Sequence, residues 1–226
     1  MARRSRSRSQ SDTYLRSDSG RTDGSEPGTG SPILELLVVF VLVFVVQGLT
    51  YFAGVMAGLF VLTPPLATNP WTIVTSVYAH NGVSHLVSNS VALIVFGWPV
   101  ARATTRLRFH AFFVATGAIA GVSQIVVTGL FVPNPGVLGA SGAVFALLGY
   151  LIASNRLSSG LASFVGVPRW ASILTFVVLA IAVTFATASP GVALIAHFTG
   201  LLVGLFAGRA GVLAVSARGS SDRVSG

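Results

Sequence analysis

The chain has 226 residues, 53% of them hydrophobic and 9% charged, with a mean hydropathy of +0.80. A soluble domain carries about a quarter charged residues, so this chain lacks the polar surface to cover a water-soluble globule and reads as an integral membrane protein. Its formal charge is +8, from 14 basic residues (all arginine) against 6 acidic ones, and it has no cysteine, which excludes a disulfide framework, a thiol nucleophile and a cysteine-held metal.

Residues 1–32 form a tail of Arg, Ser, Gly, Thr and Asp that includes RRSRSRSQS. It has too few apolar residues to bury and is expected to be disordered. The Arg-Ser alternation resembles an RNA-binding tail, but beside a membrane span a solvated cytoplasmic segment is the better reading, and no nucleic-acid partner is expected. The long polar stretch before the first apolar run does not fit a secretory signal. From Ile33 onward six apolar runs recur, at about 33–55, 84–101, 109–130, 139–155, 170–188 and 191–214. Each approaches the ~20 residues that cross a bilayer as a helix. Between them lie TPPLATNPW, the cluster Arg102 to Arg108, FVPNPGV, the stretch from NRLSSG to PRW, and Ser189-Pro190-Gly191. Proline and glycine are the expected punctuation of such breaks.

The arginines test this count. Six lie in the N-terminal tail, three (Arg102, Arg106, Arg108) follow the second run, two (Arg156, Arg169) follow the fourth, and three (Arg209, Arg218, Arg223) sit at or after the end of the sixth. With six spans all of them fall on one side, and the positive-inside rule puts both termini in the cytoplasm. The expectation is an all-α membrane protein in the cell membrane, multi-pass, with a six-helix bundle over 33–214 and a short cytoplasmic tail over 215–226.

Polar side chains in lipid are costly, so each needs a reason. His85 and Asn89 lie at the start of the second span, Ser141 at the start of the fourth and His197 about six residues into the sixth, and all three spans enter from outside. His110 sits at the opposite end and reads as a snorkelling boundary residue. Gln47 and Gln124 read as interhelical hydrogen-bonding groups. His85 and Asn89, at i and i+4, share a helix face. On the sixth span His197, Gly200, Gly204 and Gly208 fall within roughly 80° of arc, and the glycines form a stripe that lets another helix approach closely. The fourth span offers a matching edge in Gly139, Ala140, Ser141 and Gly142, followed by Phe145 and Gly149. Two backbones meeting there would put a hydroxyl within reach of an imidazole, the nucleophile-and-base arrangement of acyl transfer. All six acids lie in the tails or at the cytoplasmic start of the first span. That excludes a Ser-His-Asp triad, an aspartyl dyad and a carboxylate-assisted metal site. A Ser-His dyad remains, with His85, the Asn89 amide and the Ser141 backbone N–H as donors suited to an oxyanion. No cofactor or metal is implied.

GASGAVFALLGY (139–150) resembles the G-x-S-G nucleophile segment of the rhomboid intramembrane serine proteases. AHFTGLLVG (196–204) is similar to their helix carrying the base, and HNGVSHLVSN (80–89) to their H-x-x-x-x-H-x-x-x-N segment. The resemblance implies Ser141 as nucleophile, His197 as general base, and His85, Asn89 and the Ser141 amide as oxyanion-hole contributors. It also implies supporting places for His80, Gly139, Phe145, Gly200 and Gly204. Substrates would be the transmembrane or juxtamembrane segments of other membrane proteins, cut at a site opening to the extracytoplasmic side. The chain departs from the family pattern in having Phe145 where many members have tyrosine. Its first outer loop (about 56–80) is also shorter and pairs no arginine with Trp71. Other classes are a catalytically silent relative that binds membrane clients and a small-solute transporter. The retained Ser141 and His197 speak against the first. Against the second, these groups cluster near one face rather than at the bilayer centre.

Overall fold

The computed structural model describes residues 30–154, 169–186 and 193–214. The expectations placed on the basic tail to residue 29, the 155–168 and 187–192 connections and the segment 215–226 lie outside the described residues. Within them the chain forms eight helices. They are α1 (Pro32–Phe52), α2 (Met56–Phe60), α3 (Thr72–Tyr78), α4 (Val83–Ala101), α5 (Arg106–Thr128), α6 (Ser141–Ser154), α7 (Arg169–Ala186) and α8 (Leu194–Arg209). Of these, α1, α4 and α5 are long and apolar enough to cross a bilayer, whereas α6, α8 and the Ile173–Ala186 part of α7 are apolar but shorter. The molecule is an all-helical integral membrane protein.

Local chemistry sets the helix ends. Pro32 opens α1 in its first turn, where a missing N–H costs nothing. Thr105 caps α5, its hydroxyl accepting the Arg108 amide at 3.4 Å. That cap draws Arg106 and Arg108 into the helix, which therefore starts three residues before the apolar run does. One stripe of α1, formed by Ile33, Leu36, Phe40 and Gln47, is buried, while Leu34, Val41, Leu42 and Leu49 face outward, as expected of a helix solvated by lipid. The core gathers around Phe40, Leu93, Phe109, Phe113 and Leu147. Within α4, residues Leu93–Gly97 take a π-helical turn, an extra-residue bulge that re-aims the faces on either side of it.

The connection between α1 and α4 is more ordered than its composition suggests. It contains α2 and α3, joined by the Trp71 indole N–H donating to the Gly58 carbonyl at 2.9 Å and the Thr75 hydroxyl donating to that of Leu59 at 2.6 Å. An antiparallel bridge between Leu62 and Val137, with bonds of 2.9 and 3.0 Å, fastens this loop to the segment leading into α6.

At the end of the bundle where α1 and α5 begin, Glu35 accepts from Arg106 Nε and meets His110 Nε2, each at 2.8 Å. His110 is thus a hydrogen-bonding partner that ties two helices together, not only a boundary residue. Glu35 is the one carboxylate among the described residues.

Candidate active site

At the opposite end, α4, α6 and α8 all begin. The seam between α6 and α8 is the most extensive helix contact of the molecule, and it is made by backbone. A Cβ built on Gly200 would fall on the carbonyl oxygen of Gly142, one on Gly204 on that of Ala146, and one on Gly149 on that of Leu201. Nothing larger than glycine fits there, and the resulting contact supplies the dispersion and Cα–H···O attraction that drives helix association in lipid.

This seam sets the neighbours of the predicted dyad. Ser141 is the first residue of α6, so its amide belongs to the set of N–H groups that no intrahelical carbonyl reaches. His197 lies on α8, buried, its ring stacked on Phe145 with centroids 4.2 Å apart and planes 19° from parallel. Phe145 stands one turn along α6 from Ser141. The phenyl ring therefore floors the imidazole next to the serine. No hydrogen bond joins Ser141 to His197. The Nδ1 of His197 is buried with no partner, and Glu35 is at the far end of the bundle. A cleft with room for about one water runs beside Ser141 between Ser76, Gly117, Gly121, Gly139 and Ala196.

His85 is brought to the same place. Gly139, with φ of +133°, has its missing Cβ where the His85 ring lies, 2.7 Å from Cε1 and 3.0 Å from Nε2. A side chain there would be strained by the backbone angle and would collide with the imidazole. The Nδ1 of His85 accepts the Asn81 amide at 3.1 Å. Since an amide can only donate, the proton of the neutral ring sits on Nε2, the nitrogen beside Gly139. Asn89 is buried, and its Nδ2 donates to the His85 carbonyl one turn back, at 3.0 Å. No bond joins it to Ser141. His80 is 2% exposed, wedged edge-on between Phe40 (4.8 Å) and His85 (5.4 Å). Burial, and then the neighbouring His85, hold its pKa down at about 4.

Two glutamines complete the frame. Gln124 on α5 accepts the Ala196 amide at 3.1 Å and donates to Thr128 Oγ1 at 2.7 Å, capping from outside the helix end that carries His197. Gln47 on α1 exchanges two bonds with the backbone of His80, accepting its N–H at 2.9 Å and donating to its carbonyl at 3.4 Å. The sequence marks both as interhelical polar groups but does not say which backbone each one holds. Among the described residues no cluster suited to a metal ion occurs.

Comparison with known proteins settles the lineage. The family model of the Rhomboid domain matches residues 67–213. The chain belongs to the rhomboid family. It is 35% identical over 89 residues to rhomboid protease GluP of Bacillus subtilis, covering 38% of this chain and 17% of that protein. It is 30% identical over 103 residues to mouse rhomboid-related protein 2, covering 46% and 33%. It is 29% identical over 140 residues to rhomboid protease GlpG of Haemophilus influenzae, covering 61% and 68%. The chain thus spans a third or less of the length of the first two relatives. Two of the three bear protease names, which places intramembrane proteolysis at the level of the rhomboid family.

Proposed function

We propose that this rhomboid is an intramembrane serine endopeptidase working through a Ser141–His197 dyad. The observation that carries the reading is the stack of His197 on Phe145 across a backbone-to-backbone helix seam, one turn from a serine at a helix start. With Nδ1 of His197 buried, Nε2 is the nitrogen open to the proton of Ser141. As that proton moves to His197, the serine oxygen adds to the scissile carbonyl. The oxyanion that forms is met by the Ser141 amide, the His85 Nε2–H and the Asn89 amide group. His197 then protonates the departing amine, leaving an acyl-enzyme. A water that gives its proton to His197 hydrolyses this ester and restores the serine.

The same reading takes the three shorter apolar helices as spans, giving six, with both termini in the cytoplasm and the site opening to the extracytoplasmic side of the cell membrane. The protease domain covers 33–214 between two cytoplasmic tails, and its substrates are transmembrane segments of other membrane proteins. His80, Gly139, Phe145, Gly200 and Gly204 support the site.

Labelling of the purified protein with a serine-directed fluorophosphonate tests this. Label is expected at Ser141 in the wild type and is lost in Ser141→Ala and His197→Ala, which also fail to cut a helical membrane substrate while remaining folded. Asn89→Ala is expected to lower cleavage by roughly a hundredfold, less than loss of the nucleophile, because one donor of several is removed. A folded wild type that neither labels nor cleaves would instead be a client-binding protein, and normal cleavage by Ser141→Ala would end the proposal.

A further inference from the structure

We infer that Gln47 is a positioning residue that sets the tautomer of His85 from a distance, through the backbone of His80 and Asn81. The inference rests on His85 serving as an oxyanion donor. That role requires a proton on the ring nitrogen beside Gly139, and a neutral imidazole carries only one proton on two nitrogens. Which nitrogen holds it is decided by the bond the other makes. In His85 the other nitrogen, Nδ1, accepts the Asn81 amide at 3.1 Å.

Asn81 lies in the short link between α3 and α4, two residues past the last carbonyl-paired turn of α3. The link has no regular structure of its own to hold that amide in place. Its neighbour His80 is held by Gln47, which reaches across from α1, 33 residues away, and grips both the N–H and the C=O of the same residue. Gln47 is 3% exposed, and these are the groups the two ends of its amide meet. The His80 ring leans edge-on against the His85 ring at 5.4 Å. Gly139 limits the ring on another side. The chain of contacts runs from Gln47 to the His80 backbone, to the Asn81 amide, to His85 Nδ1, and leaves His85 Nε2 as the donor at Ser141's end of α6.

With the grip released, the Asn81 amide is free to leave Nδ1. The ring can then place its proton there, where it points away from the developing charge. The loss falls on the transition state more than on substrate binding, because the donor is needed only once the oxyanion forms. Gln47→Leu removes both bonds at similar volume. Gln47→Glu restores them: a carboxyl group buried among apolar helices is held neutral, and its C=O and O–H reproduce the acceptor and the donor of the amide.

The test is 15N NMR of histidine-labelled protein in detergent, which reports only His80, His85, His110 and His197, with His85 assigned through its loss in His85→Gln. The wild type and Gln47→Glu are expected to show His85 protonated on Nε2. Gln47→Leu is expected to show a substantial Nδ1–H population, with kcat lowered roughly tenfold and KM changed less than about twofold. A wild-type His85 protonated on Nδ1 overturns the inference, and that measurement stands even if Gln47→Leu does not fold. So does a Gln47→Leu protein whose His85 keeps the wild-type tautomer, or a Gln47→Glu protein that behaves like the leucine variant. Normal cleavage by His85→Gln would sink the oxyanion assignment instead, and the tautomer readout separates the two failures.

Discussion

Substituting Gly200 by alanine adds a single carbon to the molecule, and the structure gives it no place to go. The built Cβ lies inside the contact shell of the Gly142 carbonyl oxygen, with the Gly142 carbonyl and α carbons behind it. These are main-chain atoms of a helix, so no side-chain rotation relieves the clash. Ordinary approach of a carbon to a carbonyl oxygen is about 3.3 Å, which requires α6 and α8 to part by about 1 Å at that turn. The fold should lose about 2 kcal/mol, as for other overpacked sites, and should survive. The chemistry should suffer more. His197 is three residues away on the same helix and would withdraw from Ser141, and displacement of a reacting group by about 1 Å costs on the order of a hundredfold. The assay is the rate of fluorophosphonate labelling, with thermal inactivation in detergent as the measure of stability. Gly48→Ala on α1 is the control, since nothing lies within 4 Å of its added carbon, and it should match the wild type in both measures. Gly200→Ala labelling at the wild-type rate, or Gly48→Ala equally impaired, would refute the argument that the backbone seam holds the two groups together.

Two other outcomes follow from the same geometry. Gly139→Ala should lower cleavage by at least about tenfold and also destabilise the fold, because the new methyl meets the His85 ring at a backbone angle of +133°; a fully active variant would show that His85 does not pack there during the reaction. Stability should decline as pH falls from about 6.5 to about 4, since the unfolded chain takes up a proton on His80 in that window and the buried ring, its pKa lowered to about 4, does not. Thermal inactivation measured across the window should depend less steeply on pH in His80→Phe, and an unchanged slope would count against burial of a neutral ring.

The helical stretches were legible because lipid-facing helices advertise themselves by composition: the run at 84–101 coincides with Val83–Ala101, and that at 109–130 nearly with Arg106–Thr128. The residues of the proposed site stood out as well, since His85, Ser141 and His197 are polar where polarity is costly. What stayed hidden was made by tertiary contact. The segment TIVTSVY is rich in β-branched residues that favour strands, yet it is helix α3, because Val77 fills the space left by Gly117 on α5, whose Cβ would lie 2.6 Å from it. The π-helical turn of α4 has no local signal in LIVFG. Gln47 and Gln124 could be picked out as polar groups within apolar helices, but what each holds on another segment is backbone, and every residue has that.

The glycine seam also bears on how a chain like this can change over generations. Where two helices touch through their main chains, there is no side chain to trim, enlarge or swap, so the usual stepwise route of compensating substitutions is closed along that line. Variation has to arise elsewhere, in stretches such as the connection between α1 and α3, which are fastened by a few separable bonds and can be exchanged without reopening the join between α6 and α8.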